Sequence, residues 1–115
     1  MDPWYSLGSG DMLEVAHMGL HVAQMTGQDA MRACFQAVTA TPAAILGLDD
    51  TGLAVGKRAD LVLLQARDPV EALRLRATRL MVLRAGNVVA TTPPATATLN
   101  LPGRPAQVSF QTPAR

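Results

Sequence analysis

The sequence predicts an α+β fold, helices first and sheet second. Apolar residues recur at helical spacing up to residue 48, and short apolar runs bounded by glycine replace them from residue 52. Ala85-Gly86-Asn87 then supplies hairpin chemistry between two further runs. Two segments follow: 1–48, helical, and 49–115, strand-rich. At 115 residues the chain is one small domain or a piece of a larger one. Apolar residues make up 49% of it, yet only Trp4, Tyr5, Phe35 and Phe110 are aromatic, so the core has to be aliphatic.

Residues 1–10, interrupted by Pro3, Gly8 and Gly10, read as loop. Asp11–Thr26 reads as a helix, with Ser9 or Asp11 to cap it and Gly27 to stop it. Asp11, Glu14, His17, His21 and Gln24 form one narrow polar stripe, which faces solvent or a neighbouring subunit. The remainder, from Met12 and Leu13 to Val22 and Met25, requires burial on most sides. A second helix runs from about Asp29 to Ala40 and buries Met31, Cys34, Phe35 and Val38. A short third helix takes Thr41 as N-cap and Pro42 as its first residue, with Gly47 just past its end.

Strand signals come next. Leu53-Ala54-Val55 lies between Gly52 and Gly56, and Ala59–Leu64 is a continuous apolar run suited to a buried strand. Asp68-Pro69 starts one or two helical turns reaching Arg74. Leu80–Leu83 and Val88–Ala90 are the arms of the hairpin. Five of the eight prolines fall in the tail, where Thr96–Leu101 and Gln107–Phe110 alternate like edge strands laid over a sheet.

Charge excludes several functions. Ten basic residues against nine acidic give +1, and Arg74, Arg76, Arg79 and Arg84 form a patch too small for a nucleic-acid footprint. No RNP, zinc-finger or P-loop spacing occurs, so no nucleic-acid partner is expected. Cys34 is the only cysteine; it forms no intrachain disulfide, and beside Phe35 it reads as an inert buried thiol. The sequence has no leader-like start and no apolar run near eighteen residues, so a cytoplasmic protein without membrane contact is expected. His17 and His21 share a helix face with Glu14, a spacing that could hold zinc. No fourth ligand is evident, and a polar stripe is the simpler reading.

Three stretches resemble the amidohydrolase superfamily. "TGLAVGKRADLVLL" and "MVLRAGNVVA", with Thr41–Leu48 as the short capped helix before them, are similar to the sheet that follows its barrel. "Asp2-Pro3-Trp4-Tyr5-Ser6-Leu7-Gly8" and "His17-Met18-Gly19-Leu20-His21" are similar to the segment after the last barrel strand of bacterial cytosine deaminases. The resemblance implies the last helices of a TIM-like (β/α)8 barrel for 1–48 and part of a composite β-sandwich for 49–115. It implies the C-terminal part of a hydrolase that converts cytosine to uracil and ammonia. The alternatives are a triazine or cyclic-amidine aminohydrolase and a non-catalytic interaction module. The parent would use one divalent metal ion, iron or zinc, and a small-molecule nucleobase. No His-x-His is present, and the metal-binding Asp of such enzymes would precede Met1, with Asp2 belonging to the motif downstream. No catalytic or metal residue is therefore assigned, and the chain alone is expected to be inactive. Trp4 is assigned to the substrate pocket, where a flat ring can pack on a pyrimidine. Bare helix faces and open strand edges imply a homo-oligomer.

Overall fold

The computed structural model describes residues 8–108. Helix α1 (Met12–Val22) starts at Asp11, whose carboxylate accepts from the Leu13 amide at 2.7 Å. It stops earlier than the expected Thr26. Gln24 turns left-handed at φ 54°, the Met25 amide closes onto Leu20 O at 2.9 Å and the Gln24 amide onto His21 O at 3.2 Å. That is a Schellman ending without glycine. Gly27 instead precedes helix α2 (Gln28–Ala37), which ends three residues before the predicted Ala40.

Helix α3 (Ala40–Ile45) begins two residues earlier than a cap at Thr41 would start it. Thr39 occupies the cap position with its hydroxyl donated back to Phe35 O at 2.8 Å. Pro42 falls third in the helix, where its missing N–H still has no intrahelical partner to lose. Gly47 ends it as expected, left-handed at φ 65° with the Leu48 amide on Ala43 O.

Leu53-Ala54-Val55 forms no strand. Gly52 and Gly56 turn left-handed on either side, and the Ala54 and Lys57 amides bond to Gly52 O and Ala54 O. Leu53 is 92% and Val55 107% exposed, since no neighbouring strand pairs with a segment so tightly turned. Strands β1 (Leu61–Leu64), β2 (Arg79–Arg84) and β3 (Asn87–Thr91) form one antiparallel sheet in that order. Leu61 pairs with Leu83 and Val62 with Val82, while Val82 pairs with Ala90. The β1 run is not the buried strand its sequence suggests. Val62 and Leu63, on opposite faces, are each about half exposed because among the described residues no second layer covers them.

The hairpin turn takes Ala85 and Gly86 at φ 47° and 79°. Ala59-Asp60 supports it: Asp60 Oδ1 accepts from the Ala85 amide at 2.7 Å, and Gly86 donates to Ala59 O at 3.0 Å. The Ala85 amide holds the Asp60 carboxyl below its ordinary range, with Arg58 adding to the effect against some desolvation. Helix α4 (Pro69–Leu75) joins β1 to β2 and starts as predicted, with Pro69 first and Asp68 accepting from the Glu71 amide at 2.9 Å.

The tail makes a separate two-stranded sheet, β4 (Ala97–Thr98) with β5 (Gln107–Val108), shorter than the predicted edge strands; Phe110 lies outside the described residues. Gln65 ties the tail to the end of β1. Its amide donates to Ala95 O and accepts from Ala95 N, both at 2.9 Å.

The core lies between α1, α2 and α4. Leu13 and Ala16 meet Ala72, Leu73 and Ala77, and Met31, Cys34 and Phe35 of α2 pack around them with Val38 at its C-cap and Leu64. These are the α2 positions the helical period selected. Helix α4 lies between two strands in sequence yet packs on α1 and α2, and of the described sheet only Leu64, at the end of β1, reaches this core.

Candidate functional site

Trp4 and Asp2 lie outside the described residues. The described part of that loop is its junction with α1, at residues 8–11. Gly8 and Gly10 take φ 79° and 73°, which lets the chain turn sharply into the helix. Ser9 Oγ then donates to Glu14 Oε2 at 2.7 Å. Asp11 does more than cap. Besides the Leu13 and Glu14 amides, its two oxygens receive Nη1 and Nη2 of Arg79 at the start of β2. The Arg79 bond holds the Asp11 carboxyl below its ordinary 3.8; partial burial opposes this and the Leu13 amide adds to it. Asp11 in turn raises the Arg79 pKa. A bidentate pair of this kind fixes orientation as well as distance, so the start of α1 is pinned to the sheet at Asp11.

The sequence places Asp11 as a cap and Arg79 in a small arginine patch, and gives no sign of the pair. The residues are 68 apart, and no local spacing connects them. Nor do the four arginines act together, since Arg79 is engaged by Asp11.

The Glu14–His17–His21 stripe has other partners. His17 Nδ1 is 2.8 Å from Leu73 O on α4, so the ring joins two helices and does not simply face solvent. His21 Nδ1 is 2.8 Å from His17 O, and the two rings lie 4.5 Å apart, centre to centre. Each Nδ1 donates to a carbonyl, and Glu14 is held by Ser9. Among the described residues no three His, Cys, Asp or Glu side chains are placed to hold a metal ion. The described residues therefore do not fit a catalytic metal. Cys34 sits at 3.5 Å from Met25 Sδ, partly buried against the core.

A shallow cavity of about 380 Å³ is lined by Leu53, Val55, Ala59 and Leu61, with Lys57 and Arg58 on its wall. Lys57 donates to Asp49 O, and Arg58 pairs with Asp50 and Asp60. Its polar groups are thus committed to the turn itself and offer no acid–base pair. No helix of the described residues is long and apolar enough to cross a membrane.

Residues 1–90 match the family described as "Amidohydrolase family". An N-isopropylammelide isopropyl amidohydrolase from Pseudomonas sp. (strain ADP) is 30% identical over 89 residues, 76% of this chain and 22% of that protein. A pterin deaminase from Rhizobium rhizogenes is 37% identical over 89 residues, 76% of this chain and 20% of that protein. Among solved structures, a 5-methylcytosine deaminase from Klebsiella pneumoniae liganded with phosphonocytosine superimposes with a TM-score of 0.74 at 37% identity, covering 88% of this chain and 24% of that one. An N-isopropylammelide isopropylaminohydrolase from Burkholderia multivorans gives 0.72 at 37% identity, over 78% of this chain and 23% of that one. The chain spans about a fifth of the length of these curated relatives.

Proposed function

Because this chain belongs to the amidohydrolase family, we propose that it is the C-terminal part of a metal-dependent hydrolase that removes an exocyclic amine from a nitrogen heterocycle, cytosine being the first substrate to try. Supporting this is the likeness to the 5-methylcytosine deaminase, 37% identical over 88% of the chain. A second substrate class has support of its own. The relatives named for N-isopropylammelide reach 30% and 37% identity, so a triazine base is the alternative. On this reading 1–48 carries the last helices of a TIM-like barrel and 49–115 part of a composite sandwich, to which the sheet β1–β2–β3 belongs.

A divalent metal would supply a polarised water in the whole enzyme. The described residues do not hold it, and their contribution is positional. Asp11, fixed by Arg79, sets where the loop carrying Trp4 leaves the helix. Trp4 would wall the pocket and stack on the flat ring.

The experiment replaces the matched quarter of the Klebsiella 5-methylcytosine deaminase with this chain and follows ammonia or amine release. The bases to offer are cytosine, 5-methylcytosine, N-isopropylammelide and pterin. We expect turnover of at least one by the chimera and none by the 115-residue chain alone. A folded, metal-loaded chimera inert on all four would remove the reading. In an active chimera Trp4→Ala lowers kcat/KM more than tenfold, about 1.4 kcal/mol of lost ring packing. Unchanged kinetics would leave Trp4 as loop packing alone.

A further inference from the structure

Two histidines on α1 are arranged in a way that the proposed reaction does not use. His17 and His21 are four residues apart, so their side chains leave the helix on one face. Each Nδ1 donates to a backbone carbonyl, His17 to Leu73 O and His21 to His17 O, both at 2.8 Å. A carbonyl can only accept, so the proton of each neutral ring sits on Nδ1 and the lone pair on Nε2. Among the described residues no hydrogen bond engages either Nε2. A histidine that binds a metal through one nitrogen almost always gives its other N–H to such an acceptor, which fixes the tautomer and the ring plane. Both rings are held in that way here without an ion.

The rings are also near enough to share one ion. Their centres are 4.5 Å apart and their planes tilted by 52°. Two nitrogens on one ion, each at about 2.0–2.1 Å, are at most about 4 Å from one another, a span that ring-rim atoms at this spacing can meet. His17 is half-buried and His21 exposed, so an ion can enter from solvent. Glu14 adds a carboxylate to the same stripe, and α1 contributes no lysine or arginine.

We infer that His17 and His21 form a two-point site for a divalent transition-metal ion, with water completing its shell, separate from the catalytic ion of a whole enzyme. Among the described residues no third protein ligand joins the pair, which argues against zinc, an ion that takes three or four. Cu2+ and Ni2+ accept neighbouring imidazole nitrogens with water in the remaining positions, and Cu2+ is the more tightly held by nitrogen donors. Bound there, the ion clamps the second half of α1, and the bond from His17 to Leu73 O holds that clamp against α4. The site needs neither a heterocycle nor turnover, so it stands or falls apart from the substrate reading.

The test titrates the untagged, chelator-stripped chain with CuCl2 and NiCl2 at neutral pH by calorimetry and follows thermal unfolding alongside. We expect one Cu2+ per chain, weaker binding of Ni2+, and a rise in Tm with Cu2+, because the ion binds the folded helix in preference to the unfolded chain. His21→Ala removes one ligand and leaves the bond from His17 to Leu73 O in place. It should bind Cu2+ at least tenfold more weakly and lose the rise in Tm. His21→Gln, which keeps a polar side chain on the stripe, should lose both to the same extent. A loss of less than tenfold in either folded variant overturns the inference, as does a parent that binds no Cu2+ or shows no preference for it over Ni2+. An ion held at the amino terminus would give the first of these results, since it would ignore His21. In the parent itself, the electron spin resonance of bound Cu2+ should carry the coupling of two imidazole nitrogens; coupling to one or none overturns the site without any substitution.

Discussion

The carboxylate of Asp11 begins a helix with one set of bonds and anchors a strand with another. Its pKa in the folded chain lies below the ordinary 3.8. Stability from the pair is therefore complete above the unfolded value and lost as pH falls through the folded one. Asp11→Asn keeps an oxygen for the cap but removes the charge. We expect it to cost about 1 kcal/mol at pH 7, the pair being partly screened by solvent. That deficit should shrink as the pH drops below 4. Urea unfolding at a series of pH values measures it, and a deficit unchanged between pH 7 and pH 3 would show that the pair's charge contributes nothing. Glu71 is a different case: nearly buried, it accepts from the Arg67 amide at 2.8 Å and pairs with the Arg67 guanidinium, so its carboxylate closes the loop ahead of α4.

The elements show which signals a sequence carries. Asp68-Pro69 and Gly47 were legible because caps and left-handed endings are decided within a few residues. Ala85-Gly86-Asn87 was legible for the same reason, as were the α2 residues turned to the core. Gln24 in a left-handed ending was not, because glycine usually fills that position and Gly27 offered itself three residues later. Leu53–Val55 misled because apolar character does not supply a pairing partner. Of the candidate site, Trp4 lies outside the described residues, and the Asp11–Arg79 pair depends on tertiary folding alone. Two substitutions test the turns. Gly47→Ala meets no atom within 4 Å of its new Cβ, so its cost is the backbone term alone, about 1 kcal/mol at φ 65°. Ala85→Gly should go the other way, stabilising by about 0.5–1 kcal/mol, as the left-handed turn already holds an L-residue. Thermal unfolding of both variants reports it; a shift of the same sign for both would refute the turn assignment.

On the scale of the whole molecule, Leu73 is the only large side chain fully buried among the described residues, and Val62, Leu63, Val88 and Val89 of the sheet are more than half exposed. A core this small is marginal for a free-standing chain. We propose that the isolated protein self-associates weakly through the faces that a larger fold would cover. Sedimentation velocity from 1 to 100 micromolar would show it, and a single monomeric species throughout that range would contradict it. The tail depends on a still smaller contact. A carboxamide can give and take at once, and Gln65 does both toward Ala95. Glutamate has the same shape and, when ionised, can only take. Gln65→Glu thus keeps one half of the clasp and sets a negative oxygen against a carbonyl. Limited proteolysis should then cut between residues 92 and 106 faster than in the parent, while cleavage within the helices stays unchanged. The distinction between an amide and an acid at one position would decide whether the last sixth of the chain travels with the sheet or is clipped from it.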